Sequence, residues 1–178
     1  MPMTPGTRKL TLTAHVVSSV GWLGAVGTFL AFAVVGLTSP DEQLARAVYV
    51  AMEPATWLVI VPLSLASLLT GLVQALGTTW GLFRHYWVIA KLLLTVLATV
   101  VLLVHTQPIG HLADSAAGTA SWGGDLDGVR VQLLVDAAAA LLVLLAATAL
   151  SVYKPRGITR YGWRKQESAR IDRSTSPA

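Results

Sequence analysis

Four stretches of this chain are each long and apolar enough to cross a lipid bilayer, and they restrict the folds open to it. A spanning helix needs about 20 apolar residues, since each residue advances the helix by only about 1.5 Å. Within lipid every backbone polar group must be satisfied internally, so each stretch is predicted to be a helix. The four predicted helices cover about 10–37, 55–76, 86–105 and 129–152. The sequence therefore predicts an all-α, antiparallel four-helix transmembrane bundle over residues 1–155, followed by a basic cytoplasmic tail at 156–178.

The composition agrees with a membrane protein and excludes several kinds of site. Only 12% of the residues are charged, whereas a soluble domain carries about a quarter. The chain has no cysteine, so disulfides, thiolate metal sites and thiol catalysis are excluded. The first apolar run is much longer than the roughly 7–15 apolar residues of a signal peptide, which indicates a retained helix.

The positions of lysine and arginine predict the topology. Arg8 and Lys9 precede the first run, and Arg84 lies in the second connection, while Arg46 and Arg130 lie in the first and third. Seven more follow the fourth run: Lys154, Arg156, Arg160, Arg164, Lys165, Arg170 and Arg173. Loops rich in lysine and arginine stay in the cytoplasm, so both termini are predicted to be cytoplasmic. The multi-pass protein is placed in the plasma (inner) membrane, with anionic lipid beside the basic tail and no role in binding nucleic acid.

The connections carry weaker signals. The segment "SPDEQLARAVYVAMEP" starts like a helix and has apolar residues at helical spacing, which favours a helix along the outer surface. Pro54 is predicted to open the second helix, and Pro62 to kink it. The third connection, from about Thr106 to Gly128, shows no clear periodicity. It is interpreted as an extracytoplasmic loop.

The third apolar run contains a lysine, which lipid disfavours strongly. Lys91 and His105 are 14 residues apart, which is close to four turns, so they share one helix face at a separation of roughly 21 Å. Lys91 is predicted to lie nearer the cytoplasm and His105 at the outer surface. Lys91 could alternatively extend to the cytoplasmic headgroups.

Depth in the membrane groups the other polar residues into two clusters. The inner cluster is predicted to contain His15, Gln74, His85 and Lys91, and the outer one His105, Asp136 and His111. Two alternatives stay open: His15 could be a packing histidine, and Asp136 could pair with Arg130 or cap a helix. In the first run, small residues favour close helix contact, namely Gly21, Gly24 and Gly27.

Two motifs resemble known families of small four-helix membrane proteins. "LTAHVVSSVGWLGAV" resembles their first-helix pattern, and "YWVIAKLLLTVLATVVLLVH" resembles their third. The families are the membrane domain of the copper-resistance D proteins and the bacterial haem-containing protoporphyrinogen oxidases. Over most of its length the chain is similar to an uncharacterised actinobacterial integral membrane family that shares "GLFRHYWVIAKLLLT".

The resemblance to the oxidases implies haem b. His15 matches a candidate haem ligand and Lys91 a lysine that faces a propionate, and His105 loosely matches a distal histidine. Trp22, within the first motif, and Gln74, in the inner cluster, complete the expected cofactor-binding set. The resemblance to the copper-resistance proteins implies metal handling, for which His15 and His105 are the candidate ligands.

Three classes of function therefore stay open. The protein could be a haem-binding redox or haem-handling protein, a transporter of a metal or small solute, or a non-catalytic membrane subunit. Its expected partners are the lipid bilayer, and a second copy or another membrane protein.

Overall fold

The computed structural model describes residues 4–77, 86–118, 126–153, 159 and 163–164. These residues form helices α1 (Pro5–Thr38), α2 (Glu42–Ala55), a π-helical turn (Thr56–Ile60), α3 (Val61–Gly77), α4 (Tyr86–Ala117) and α5 (Asp127–Tyr153). Within the described ranges, four helices are long and apolar enough to span a membrane, with α2, the π turn and α3 together forming one of 36 residues. Over the described residues the structure is therefore all-helical, and its four long apolar helices are those of a multi-pass membrane protein.

The helices extend beyond the apolar runs, so the predicted boundaries need correction. The first helix begins at Pro5 rather than residue 10, with the Thr4 side chain accepting a hydrogen bond from the Thr7 amide. Helix α5 covers Asp127–Tyr153, close to the predicted 129–152. An apolar run indicates which part of a helix contacts lipid, whereas the helix itself extends to the residues that cap it.

The second spanning helix begins 13 residues before its predicted start. Pro54 lies inside α2 and does not open a helix. The main irregularity is the π turn just before Pro62, where the Val61 amide bonds to the Thr56 carbonyl. A π turn is an ordinary cause of a helix bend. The helix predicted in this segment is present as α2, but it runs into the spanning helix and packs on α1 and α4.

The prediction of a loop from Thr106 onward is wrong for its first twelve residues, because α4 continues to Ala117. The residues buried there, Ile109, Leu112, Ala113 and Ala116, recur at helical spacing, which indicates a helix despite Pro108 and Gly110. Arg46 of α2 donates to the carbonyl oxygen of Gly118 at 3.0 Å, which satisfies a carbonyl at the end of this helix.

Helix α1 contacts α2, α3 and α5, and α4 contacts the same three elements. Large buried side chains fill the centre, among them Trp22, Phe29, Tyr49, Leu112 and Leu133. Close contact with another helix was expected at three glycines of α1 and occurs at one of them. A Cβ at Gly21 would lie 3.2 Å from Leu63 Cδ1, but one at Gly24 or Gly27 would meet nothing within 4 Å.

Candidate functional site

His15 of α1 packs directly on α3. A Cβ at residue 71 would lie 3.0 Å from His15 Cε1, so Gly71 leaves room for the ring. His15 Nδ1 lies 3.1 Å from the Ser67 carbonyl oxygen and 3.1 Å from Thr70 Oγ1. The Thr70 hydroxyl donates its own hydrogen to the Ala66 carbonyl at 2.6 Å. Both partners of Nδ1 therefore act as acceptors, and Nδ1 carries a hydrogen.

This assignment fixes the role of the other ring nitrogen. With Nδ1 protonated, a neutral imidazole keeps an acceptor lone pair on Nε2. Lys91 Nζ of α4 lies 3.3 Å from Nε2 and can donate to it. The chain of contacts from Ser67 through His15 to Lys91 thus joins three helices.

Lys91 has no acidic partner in the described part of the chain. Acidic side chains there lie against other residues, as in Arg46–Glu42, His105–Asp136 and Arg130–Asp127. The Lys91 side chain is half-buried, and its one hydrogen bond among those residues is to a neutral acceptor. An ammonium group has three donors, so it retains capacity for an anion.

Two further contacts hold α1 against α3 beside His15. Gln74 Nε2 donates to the Thr11 carbonyl oxygen at 3.0 Å, and the Ser19 and Ser67 hydroxyls are 2.8 Å apart. We use the name His15–Lys91 cluster for the residues that make these contacts: Thr11, His15, Ser19, Ser67, Thr70, Gln74 and Lys91.

The His15–Lys91 cluster separates two cavities. The Lys91 cavity, of about 130 Å³, lies between α3 and α4 and is lined by Gln74 and Trp87, among others. The middle cavity, of about 300 Å³, extends from the cluster to Leu144 and Ser151 of α5. Four side chains line both, namely His15, Ser67, Lys91 and Thr95.

Trp22 connects the middle cavity to a third one. It is 3% exposed and lines both the middle cavity and the Asp136 cavity, which has a volume of about 180 Å³. His105 and Asp136 lie on this third cavity. The three cavities therefore follow one another through the bundle.

His105 of α4 and Asp136 of α5 lie in contact, and they form an ion pair when His105 is protonated on both ring nitrogens. His105 Nδ1 donates to the Val101 carbonyl at 2.8 Å, and Nε2 lies 2.9 Å from Asp136 Oδ2. Oδ2 is buried and accepts no aligned hydrogen bond within the described ranges, so the contact with His105 is close but is not a hydrogen bond. The alternative partner, Arg130, instead pairs with Asp127 at 3.1 Å.

The structure brings together most of the residues that the sequence singled out. His15, Gln74 and Lys91 line one cavity, and Trp22 shares the next with His15 and Lys91. His111 is exposed and does not join the outer pair, which corrects that expectation. His85 lies outside the described residues. Thr70 was missed, although its position three residues after Ser67 and four before Gln74 marks the same helix face.

In this arrangement both ring nitrogens of His15 already have partners, so neither is free to ligate a haem iron. An iron ligand needs the Nε2 lone pair, but the Lys91 ammonium occupies it. Of the two cavities beside His15, the Lys91 cavity, at about 130 Å³, is smaller than the roughly 300–1,000 Å³ of ordinary ligand pockets, and the middle cavity, at about 300 Å³, is at the lower end of that range. Haem binding stays a prediction.

Metal binding finds no support in the described part of the chain. No group of three or more histidine, aspartate or glutamate side chains there could hold an ion. His15 and His105 cannot share one, since Lys91, beside His15, is roughly 21 Å from His105 along α4.

No family model, no curated protein and no solved structure matches this chain.

Proposed function

We propose that the protein is a plasma-membrane protein that binds a small organic carboxylate at the His15–Lys91 cluster. The observation that carries the proposal is Lys91, a cation on an apolar helix whose one hydrogen bond is to a neutral nitrogen. A buried charge without a counter-ion is costly. A carboxylate in either adjoining cavity would accept the remaining Lys91 donors and supply that counter-ion.

The site is suited to a small anion rather than to a large one. The two cavities beside Lys91 have volumes of about 130 and 300 Å³. Their walls are mostly apolar, so an anion with a short apolar body would contact both the ammonium and the helices. Ser67 and Thr95 line both cavities and offer hydroxyl groups for orientation.

Binding of a defined anion tests the proposal. Purified protein would be titrated with acetate, benzoate and inorganic phosphate at constant ionic strength, with chloride as the reference. We expect benzoate or acetate to bind and Lys91→Met to weaken that binding at least about tenfold, because a charge-assisted hydrogen bond contributes about 1.5–3 kcal/mol. Lys91→Arg should retain part of the affinity, since it keeps the charge.

Lys9→Met is the matched control, because it removes the same charge from an exposed position on α1. It should leave the affinity unchanged. Equal affinity in the wild type and Lys91→Met would refute the carboxylate site. A phospholipid that copurifies with the wild type but not with Lys91→Met would identify a lipid phosphate as the counter-ion instead and also contradict the proposal.

Transport of the same anion is a second candidate function, and the row of adjoining cavities favours it. The Lys91, middle and Asp136 cavities share lining residues, and buried Trp22 stands between the last two. An anion bound at Lys91 would have to pass Trp22 to reach His105. Uptake of labelled benzoate into proteoliposomes, lost in Lys91→Met and kept in Lys9→Met, would distinguish transport from binding alone.

The proposal includes an antiparallel bundle with both termini in the cytoplasm. The arginine and lysine bias supports this orientation. The contacts support only the antiparallel arrangement, since the N-terminal part of α1 meets the C-terminal part of α3 through Gln74 and the N-terminal part of α4 through Lys91. The His15–Lys91 cluster would then lie in the cytoplasmic half of the membrane.

The chain has no cysteine, so single-cysteine variants test the orientation cleanly. Gln43→Cys, at an exposed position of α2, should react with a membrane-impermeant maleimide on intact cells. Gly6→Cys, with open space around its Cβ, should react only after the cells are opened. The reverse pattern would invert the orientation and move Lys91 to the outer half.

A further inference from the structure

The Asp136 cavity holds two buried polar atoms without a hydrogen bond. Trp22 Nε1 and Asp136 Oδ2 are both inaccessible to solvent, and neither has an aligned hydrogen-bond partner in the described part of the chain, although His105 Nε2 lies 2.9 Å from Oδ2. Trp22 comes from α1 and Asp136 from α5, and both side chains line this cavity. Buried polar groups are normally satisfied, so such a pair calls for an explanation.

The two atoms have complementary requirements. The indole N–H can only donate, and the carboxylate oxygen can only accept. A hydroxyl group can accept from one and donate to the other. A simple amine cation would satisfy Asp136 but would leave the Trp22 donor without an acceptor.

The rest of the cavity determines what carries the hydroxyl. Its walls are formed by aliphatic and aromatic side chains, including Val26, Phe29, Leu102 and Val143. The volume is about 180 Å³, and an apolar cavity of about 150 Å³ in another protein binds benzene. The cavity thus has room for one aromatic ring with a small substituent.

We propose that the Asp136 cavity is a binding site for a single-ring hydroxylated molecule of the phenol and hydroquinone class. The ring lies among the apolar side chains, and its hydroxyl accepts from Trp22 Nε1 and donates to Asp136 Oδ2. The site is separate from the His15–Lys91 cluster, and the proposal does not depend on anion binding there.

The Asp136 site discriminates between two probes of nearly equal size. Binding of 4-fluorophenol and fluorobenzene to protein in nanodiscs would be followed by ¹⁹F NMR, with empty nanodiscs as the blank. We expect 4-fluorophenol to bind at least about tenfold more tightly, since only it engages both polar atoms. Equal affinities would refute the site.

Variants separate the hydroxyl contacts from packing. Trp22→Phe keeps an aromatic ring and removes the N–H. It should therefore lower the affinity for 4-fluorophenol severalfold and leave the affinity for fluorobenzene unchanged. Trp57→Phe is the control, because Trp57 is 50% exposed. Ala140→Leu fills the cavity and should abolish binding of both probes. Unchanged discrimination in Trp22→Phe would contradict the proposed hydrogen bond.

The hydroxylated ring could be free in solution or the headgroup of a membrane quinol. Competition with a decyl-substituted hydroquinone distinguishes these sources. Displacement of 4-fluorophenol by it would assign the site to a lipid-borne headgroup. If only short phenols compete, the ligand is a free phenol. If neither displaces the probe, the site is refuted.

Discussion

Gly36→Ala is expected to destabilise the protein by about 2–3 kcal/mol, because the added methyl group overlaps a rigid buried ring. A Cβ at this position would lie 2.5 Å from Tyr49 Cζ and 2.7 Å from Cε2. Tyr49 is 1% exposed and packs in the core between α1 and α2. The ring has no flexible end to move aside, so the two helices must separate. The free energy of unfolding in mixed detergent micelles would measure the loss.

A double-mutant cycle and a second glycine separate this clash from a general effect of alanine. In a Tyr49→Ala background the overlap is gone, so Gly36→Ala should cost nothing or stabilise α1 by roughly 0.5–1 kcal/mol through helix propensity. Gly24→Ala, where a Cβ meets nothing within 4 Å, should likewise cause no loss. A similar loss in Gly24→Ala would show that the contact with Tyr49 is not the cause.

The sequence predicted the spanning helices because lipid leaves few alternatives for an apolar run of about 20 residues. It did not predict how far the helices continue outside the apolar runs. In residues 106–117 the apolar residues Ile109, Leu112, Ala113 and Ala116 do follow helical spacing, but Pro108, Gly110 and the polar residues between them favoured a loop. Packing against α2 and the contact from Arg46 to Gly118 stabilise this part of the helix. Tertiary contacts of this kind are not visible in local composition.

At the site, too, the sequence pattern predicted some features, whereas others depend on tertiary contacts. Helical spacing and depth were sufficient to group His15, Gln74 and Lys91, since two helices that cross at one depth bring their polar faces together. The direct contact between His15 and Lys91 could not be predicted, because it requires the ring to be turned by Ser67 and Thr70. His111 failed for a related reason: it follows His105 by six residues, which turns it away from the face that meets α5.

Removal of the His15 acceptor is expected to cause the second large loss of stability. His15→Leu removes the one hydrogen bond that Lys91 makes with the described residues and leaves an ammonium group among apolar side chains. Such a charge costs about 2.5–3.5 kcal/mol at the bilayer centre and less toward the edge. We therefore expect His15→Leu to lower the free energy of unfolding by about 2 kcal/mol. His15→Gln should recover much of the loss, because its amide oxygen can accept from Lys91.

The double variant of His15 and Lys91 measures the interaction between these two residues. Lys91→Met removes the charge, so His15→Leu in that background should cost less than about 1 kcal/mol, mainly the bonds to Ser67 and Thr70. The difference between backgrounds measures how far the ammonium depends on His15. If Lys91 instead extended to the headgroups, its charge would stay hydrated whichever residue stood at position 15. His15→Leu would then cost the same in both backgrounds, and that equality would remove the basis for an anion site inside the bundle.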